Sequence, residues 1–317
     1  MNDRKEPQVK QITRREMLLA LAVGSATAAC VRLRDEAGPS RRELILCGAE
    51  EVFILALGPG SNPAAEKVWS WRATDSAEIP ESLRRAFRST DDCKPLEDGR
   101  KILISSSSGA VAAVERETKR ALFCASVINA HSIEALPGGR VAAAASVSDS
   151  PEGNRLILFD MASKREIASD RLVSAHGVVW DEKRGLLWAL GNDELRAYRV
   201  AESQGGKEPL KVELQVKLPE SGGHDLSPIP GTPLLFISTN THCWLFHRDT
   251  RTIAPHDLLA DTPRVKSYSV HPVTGRVAYV QAEGSDWWAE RVHFLRPEGV
   301  LHLPGQRLYK ARWNAGV

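Results

Sequence analysis

Three histidines occupy the same position in three similar segments of the chain: His131, His176 and His224. Each lies ten residues before the start of an apolar, strand-like segment. If the segments belong to repeats arranged around an axis, equivalent positions face that axis and the three imidazoles converge. Imidazole nitrogen is a common ligand of divalent transition metals. The spacing therefore predicts a site for Mn, Zn, Fe or Ni.

The same histidines allow two other interpretations. Neutral or protonated imidazoles can bind a polar ligand or substrate directly. Alternatively, the three side chains form a structural cluster that fills the centre of the fold. A single histidine at a strand start is usually structural, but histidine supplies only 9 of the 317 residues, so three at one register favour a ligand.

The histidine segments belong to a longer repeat. Each copy contains four short segments rich in Val, Ile, Leu and aromatic residues, separated by turns with Gly, Pro or Asp. Five copies are complete, and their second strands start 39 to 48 residues apart. These starts are Ile102, Val141, Leu186, Leu234 and Val277. Four short strands in ~45 residues is typical of a β-propeller blade rather than of a helical repeat.

A sixth blade is divided between the two ends of the repeat region. Residues Glu43–Cys47, Val52–Leu57 and Val68–Trp71 supply three strands but lack the innermost one, which Leu308–Trp313 can provide. This pairing closes the ring and removes the open edges that a partial blade would expose. We therefore predict an all-β, six-bladed β-propeller over residues 43–313, with the C-terminal strand joining the N-terminal blade. A seventh blade would need another ~40 residues.

The propeller frame predicts which side chains surround the mouth of the central channel. Counting back ten residues from each second strand gives Asp92, His131, His176, His224 and Ser267. Asp92 is the expected fourth metal ligand, although a shift of one residue would bring Cys93 to the channel instead. Polar residues around this position are expected to bind a ligand: Asn192, Asn240, Lys266, Ser267 and Arg312. The pair Trp287-Trp288 either stacks on a sugar ring or packs beneath its loop.

The N-terminus carries the features of a twin-arginine export signal over residues 1–29. Arg14 and Arg15 precede a short apolar segment that ends at Cys30, and this segment is shorter than the ~20 residues that span a bilayer. A membrane-embedded helix is the alternative. Cys30 is the predicted lipidation site, whereas cleavage after Ala28 would release a soluble protein. Residues 30–42 are the expected tether, and we predict an exported protein, either periplasmic or a membrane-anchored lipoprotein.

The charge balance excludes one class of partner. Residues 1–29 contain five Lys/Arg and three Asp/Glu, so the remainder holds 37 basic and 37 acidic residues. A neutral chain offers no general electrostatic attraction for nucleic acid.

The repeat, the export signal and the channel histidines together resemble a family of bacterial six-bladed propellers, often exported, that has no established activity. The chain is more weakly similar to oligogalacturonate lyase and related propeller lyases, in which channel histidines hold a divalent metal. The resemblance implies a metal-dependent polysaccharide lyase or hydrolase, with His131, His176 and His224 in the metal site. The expected ligand is a carbohydrate or another small polar molecule. The alternative is a non-catalytic propeller that binds a protein or glycan.

Overall fold

A computed structural model of the protein describes residues 42–201 and 209–314. Within these ranges the chain forms six four-stranded antiparallel sheets around a common channel. The predicted all-β, six-bladed β-propeller is therefore confirmed. Across the same ranges no helix is long and apolar enough to cross a membrane. The predicted export signal and Cys30 lie outside the described residues.

The first three blades are built from the N-terminal half of the chain, apart from one strand of blade 1 that comes from the C-terminal end. Blade 1 contains β1 (Arg42–Cys47), β2 (Val52–Leu57) and β3 (Ala65–Trp71), with β24 (Lys310–Asn314) as its innermost strand. Blade 2 contains, from the channel outwards, β4 (Thr90–Leu96), β5 (Lys101–Ser106), β6 (Ala110–Glu115) and β7 (Ala121–Ser126). Blade 3 contains β8 (Ala130–Leu136), β9 (Arg140–Ala145), β10 (Arg155–Asp160) and β11 (Arg165–Arg171).

The other three blades repeat the same order from the channel outwards. Blade 4 contains β12 (Gly177–Asp181), β13 (Leu186–Leu190), β14 (Glu194–Val200) and β15 (Leu210–Lys217). Blade 5 contains β16 (Asp225–Pro228), β17 (Leu234–Ser238), β18 (Cys243–His247) and β19 (Thr252–Pro255). Blade 6 contains β20 (Val265–Val270), β21 (Val277–Gln281), β22 (Arg291–Leu295) and β23 (Gly299–His302).

The ring closes as the sequence predicts. Strand β24 pairs antiparallel with β1, placing Arg312 opposite Ile45 and Lys310 opposite Cys47. The C-terminal strand thereby becomes the innermost strand of the N-terminal blade and brings two cationic side chains into the channel. Because every innermost strand starts at the same end of the channel, the six starts meet on one face, which we call the histidine face.

The blades pack through apolar side chains on both faces of their middle strands. Every residue of β2 is buried, and so are most residues of β5, β9 and β17. Aromatic rings join neighbouring blades, as where Trp188 and Phe246 meet edge to face with ring centres 5.3 Å apart. This double-sided burial explains why these strands are continuous apolar runs in the sequence instead of alternating ones.

One connection on the histidine face is much longer than the others. Residues 72–89, between β3 and β4, form a 3-10 turn (Ala73–Asp75), helix α1 (Glu81–Arg84) and a second 3-10 turn (Arg85–Phe87). Phe87 is buried against Trp71, with the two rings edge to face at 5.4 Å. Ile79 is also fully buried. The connection is therefore anchored to the core between blades 1 and 2.

Candidate functional site

The three predicted histidines lie together on the histidine face. The rings of His131 and His176 are stacked, with centres 4.1 Å apart and planes 27° from parallel. The ring of His224 meets His176 edge to face at 5.4 Å. Three segments of the sequence thus place their imidazoles in direct contact, because the three innermost strands start at the same end of the channel.

Local β-bulges decide which neighbours share this position. In blades 2, 3 and 6 the innermost strand carries one extra residue near its start, and these residues are Asp91, His131 and Lys266. In blades 4, 5 and 1 the equivalent residue directly precedes the strand, and these are His176, His224 and Tyr309. We call these six residues, one from each blade, the mouth ring. Blade 3 carries the same bulge, and counting ten residues back from Val141 reaches His131. In blades 2 and 6 the turn between the first two strands is one residue longer, so the same count stops one residue short.

The residues predicted from the sequence for the channel mouth are therefore wrong by one position in blades 2 and 6. Counting along the sequence placed Asp92 and Ser267 beside the histidines, whereas Asp91 and Lys266 occupy that position. Tyr309 was not among the sequence candidates. The sequence could have indicated Tyr309 by its position directly before the closing strand, because His176 and His224 directly precede the innermost strands of blades 4 and 5.

The members of the mouth ring contact one another around the channel. His131 Nδ1 lies 3.3 Å from Asp91 Oδ1 and 3.5 Å from Tyr309 Oη. Lys266 Nζ lies 2.9 Å from His224 Nε2. The ring is consequently a continuous polar surface made of one acid, three imidazoles, one amine and one phenol.

Residues behind the ring orient the imidazoles. Asn129 Oδ1 lies 3.0 Å from His131 Nε2, and Asn240 Oδ1 lies 2.8 Å from His224 Nε2. His176 Nδ1 lies 2.9 Å from the carbonyl oxygen of Ser174 and is thus placed to donate to it. Within the described residues, the buried Nδ1 of His224 has no hydrogen-bond partner.

Burial determines the charge of the ring. Removal from water lowers the pKa of His131, His176 and His224, with the value for His176 falling to about 4. Burial also lowers the pKa of Lys266 to about 8 and raises that of Asp91 to about 7. At neutral pH the ring thus presents three uncharged imidazoles, one ammonium group and the partly ionised carboxyl group of Asp91.

Beneath the mouth ring lies a buried set of charges that we call the ion network: Asp92, Asp225, Lys310 and Arg312. Arg312 Nε is 2.9 Å from Asp92 Oδ1, and its Nη2 is 2.6 Å from Asp225 Oδ1. Lys310 Nζ is 3.1 Å from Asp225 Oδ1. Burial alone raises the pKa of Asp225, but Arg312 and Lys310 outweigh it and lower the value to about 2. The two acids and two bases balance each other, and Lys94 Nζ, paired with Glu134, lies a further 3.8 Å from Asp92 Oδ2.

The remaining sequence candidates serve different parts of this arrangement. Arg312 and Asp92 lie in the ion network, and Ser267 Oγ accepts a hydrogen bond from the Ala311 amide at 3.1 Å. Asn192 Oδ1 accepts from the amide of Gly222 at 3.3 Å and so supports the loop before His224. Trp287 is 43% exposed, and its indole meets Tyr309 edge to face at 5.7 Å. The exposed indole therefore borders the mouth ring.

The arrangement does not have the form of a preformed metal centre. Among residues 42–201 and 209–314, no group of three or more His, Cys, Asp or Glu side chains is arranged to hold a metal ion. The rings of His131 and His176 stack on each other, and both nitrogens of His131 face protein oxygens, with Nδ1 3.3 Å from Asp91 Oδ1 and Nε2 3.0 Å from Asn129 Oδ1. The predicted metal remains a prediction.

Comparison with known proteins supports the fold and identifies a family. No curated protein matches the sequence. A chain from the crystal structure of a nidogen/laminin complex aligns with a TM-score of 0.57 at 12% identity, covering 87% of this chain and 99% of that one. A chain from the crystal structure of Saccharomyces cerevisiae Sqt1 aligns with a TM-score of 0.48 at 14% identity, covering 84% and 69% respectively. At such identity the first likeness concerns the fold alone. Residues 60–316 match the family described as "Family of unknown function (DUF6528)", and the chain therefore belongs to that family.

Proposed function

We propose that the protein binds a small acidic carbohydrate, such as a uronate sugar, at the mouth ring. The observation that carries the proposal is the state of Lys266. Lys266 is only 7% exposed, yet among the described residues no carboxylate lies within 4.0 Å of its Nζ. A buried ammonium without an acidic partner is costly, and a ligand carboxylate would supply that partner.

The rest of the ring suits the hydroxyl groups and the ring face of a sugar. Uncharged imidazoles donate or accept hydrogen bonds, and Tyr309 Oη and Asp91 add further polar atoms. The exposed indole of Trp287, next to Tyr309, offers a flat surface for the apolar face of a pyranose. This extends the expectation that Trp287-Trp288 stacks on a sugar.

The arrangement of Lys266 and His224 favours a ligand bound directly by the side chains over a ligand bound through a metal ion. Lys266 Nζ, at 2.9 Å from His224 Nε2, places a positive charge where a divalent cation would approach that nitrogen. Like charges at such a distance repel, particularly in a buried site. We therefore propose a binding protein in which the histidines contact the ligand, and the predicted lyase or hydrolase activity is not part of the proposal.

Replacing Lys266 with methionine is expected to weaken uronate binding by about 10- to 100-fold, because a charge-assisted hydrogen bond contributes ~1.5–3 kcal/mol. Isothermal titration calorimetry with D-galacturonate and D-galactose measures the effect, and the variant should lose the preference for the acid. Lys211→Met on the exposed outer strand β15 is the matched control. Equal affinity of the unaltered protein for acid and neutral sugar would contradict the proposal. Loss of binding on chelation, restored by Mn²⁺, would favour a metal-bridged ligand instead.

We further propose that residues 1–29 direct export by the twin-arginine route and that Cys30 is lipidated, on the strength of the sequence pattern. Replacing both Arg14 and Arg15 with lysine should abolish export, because this route requires the paired arginines. Cell fractionation followed by immunoblotting measures the change. Cys30→Ala should release the exported protein from the membrane fraction without blocking export. Normal export of the double-lysine variant would contradict the assignment.

A further inference from the structure

An arginine-rich groove lies on the long connection between β3 and β4. Four arginines line it, together with Thr74, Ala73, Phe87 and one acid, Glu50, and the groove encloses about 280 Å³. The arginines are Arg72, Arg84, Arg85 and Arg88. No repeat requires this connection, since the other links on the histidine face are 3 to 9 residues long.

The groove adjoins the mouth ring. Arg88 precedes Asp91 by three residues, so their Cα atoms are separated by at most ~11 Å. Thr90, between them, donates from its amide and its hydroxyl to the carbonyl oxygen of Ala49, at 3.0 and 2.7 Å. These bonds hold the turn that carries Glu50 against the start of β4. The groove and the ring are therefore neighbouring parts of one face.

The positive charge of the groove is largely uncompensated. Within the described part of the chain, no carboxylate lies within 4.0 Å of the guanidinium groups of Arg84, Arg85 or Arg88. The guanidinium group of Arg72 pairs with the exposed Glu50, at 3.4 Å. The nearby acid Asp75 accepts from the backbone amide of Arg72 and from Lys119 Nζ, both at 3.2 Å from its Oδ2, and forms no ion pair with a groove guanidinium within the described residues.

The groove is also held in place. Phe87 is buried between Arg85 and Arg88 in the sequence, and its contact with Trp71 anchors the turn that carries both. Arginine presents a planar set of donors that matches a carboxylate, sulfate or phosphate in a two-point contact. Several such groups on an anchored segment form a suitable binding site for an anion.

From these observations we infer a second anion-binding subsite in the groove, occupied by another acidic group of the same ligand molecule. The inference rests on the proposed function and specifies it: the ligand is an elongated polyanion of the acidic-oligosaccharide type. One acidic group pairs with Lys266 at the mouth ring, while a second one pairs with Arg85 and Arg88.

The test compares D-galacturonate with its linear trimer by calorimetry on the unaltered protein and on the double variant Arg85→Gln/Arg88→Gln. The trimer should bind the unaltered protein at least 10-fold more tightly than the monomer, and the double variant should lose this gain while its affinity for the monomer stays within twofold. Both replaced side chains are exposed, so the fold should persist, which a thermal melt checks. Arg100→Gln/Arg165→Gln removes the same charge at two other exposed positions as a control.

The outcomes separate the inference from the proposal on which it rests. Equal affinity for monomer and trimer, or the same loss in the control variant, would overturn the second subsite and leave uronate binding at the ring intact. Failure of both ligands to bind would overturn the proposed function and the inference with it. High salt should weaken trimer binding more in the unaltered protein than in the double variant, because salt screens the contacts of Arg85 and Arg88. This result would support the inference.

Discussion

Replacing Arg312 with methionine should lower the free energy of unfolding by about 3 to 5 kcal/mol, the usual cost of removing one partner from a buried ion pair. Arg312 is 6% exposed and contacts both Asp92 and Asp225. Without it, the two carboxylates share Lys310, and Asp92 keeps only one further cation among the described residues, Lys94 at 3.8 Å. Methionine fills similar space, so the loss reports on charge rather than on volume. Chemical denaturation followed by tryptophan fluorescence measures it.

A compensating replacement distinguishes this explanation from simple loss of packing. Adding Asp92→Asn to Arg312→Met restores the charge balance and leaves Asp225 paired with Lys310 at 3.1 Å. The double variant should therefore be more stable than Arg312→Met, and the two replacements should be non-additive because the residues are in contact. Additive losses would contradict the ion network as the source of stability.

Replacing His176 with asparagine should produce a stability difference from the unaltered protein that depends strongly on pH. Burial lowers the pKa of His176 to about 4 in the folded state, against 6.5 when exposed. The residue therefore contributes its full stabilisation above pH 6.5 and loses it as the pH falls towards 4. The stability difference between the two proteins should shrink by about 3 kcal/mol over that interval.

The free energies of unfolding must be compared as a difference between the two proteins at each pH. The reason is that titration of Asp91 changes stability with pH in the direction opposite to that of His176. Burial raises the pKa of Asp91 to about 7, so its contribution to stability is lost as the pH rises from 3.8 to 7. Both proteins carry Asp91, and subtraction removes its effect. His302→Asn, on the surface, controls for the loss of a histidine. Denaturation curves at pH 7.5, 6, 5 and 4 provide the data, and a constant difference would show that His176 is not a buried neutral imidazole.

Much of the fold could be predicted because it depends on local patterns. Short apolar strands and their turns recur along the chain, and the missing inner strand of the first blade had a match at the C-terminus. The three histidines were placed correctly on one face for the same reason. The register of Asp91 and Lys266 could not be predicted, because the turn length and the β-bulge of a blade are both defined by how its first two strands pair.

The sequence by itself determined the repeat, the number of blades and the convergence of His131, His176 and His224, since these follow from periodic spacing. Only the tertiary structure decided that Lys266 is buried with no acidic partner among residues 42–201 and 209–314, while Arg312 lies between Asp92 and Asp225. In the sequence, Lys266 and Arg312 are both simply cationic residues of inner strands. Their different environments arise from side chains of other blades, and pairing across the channel depends on positions in space rather than on spacing along the chain.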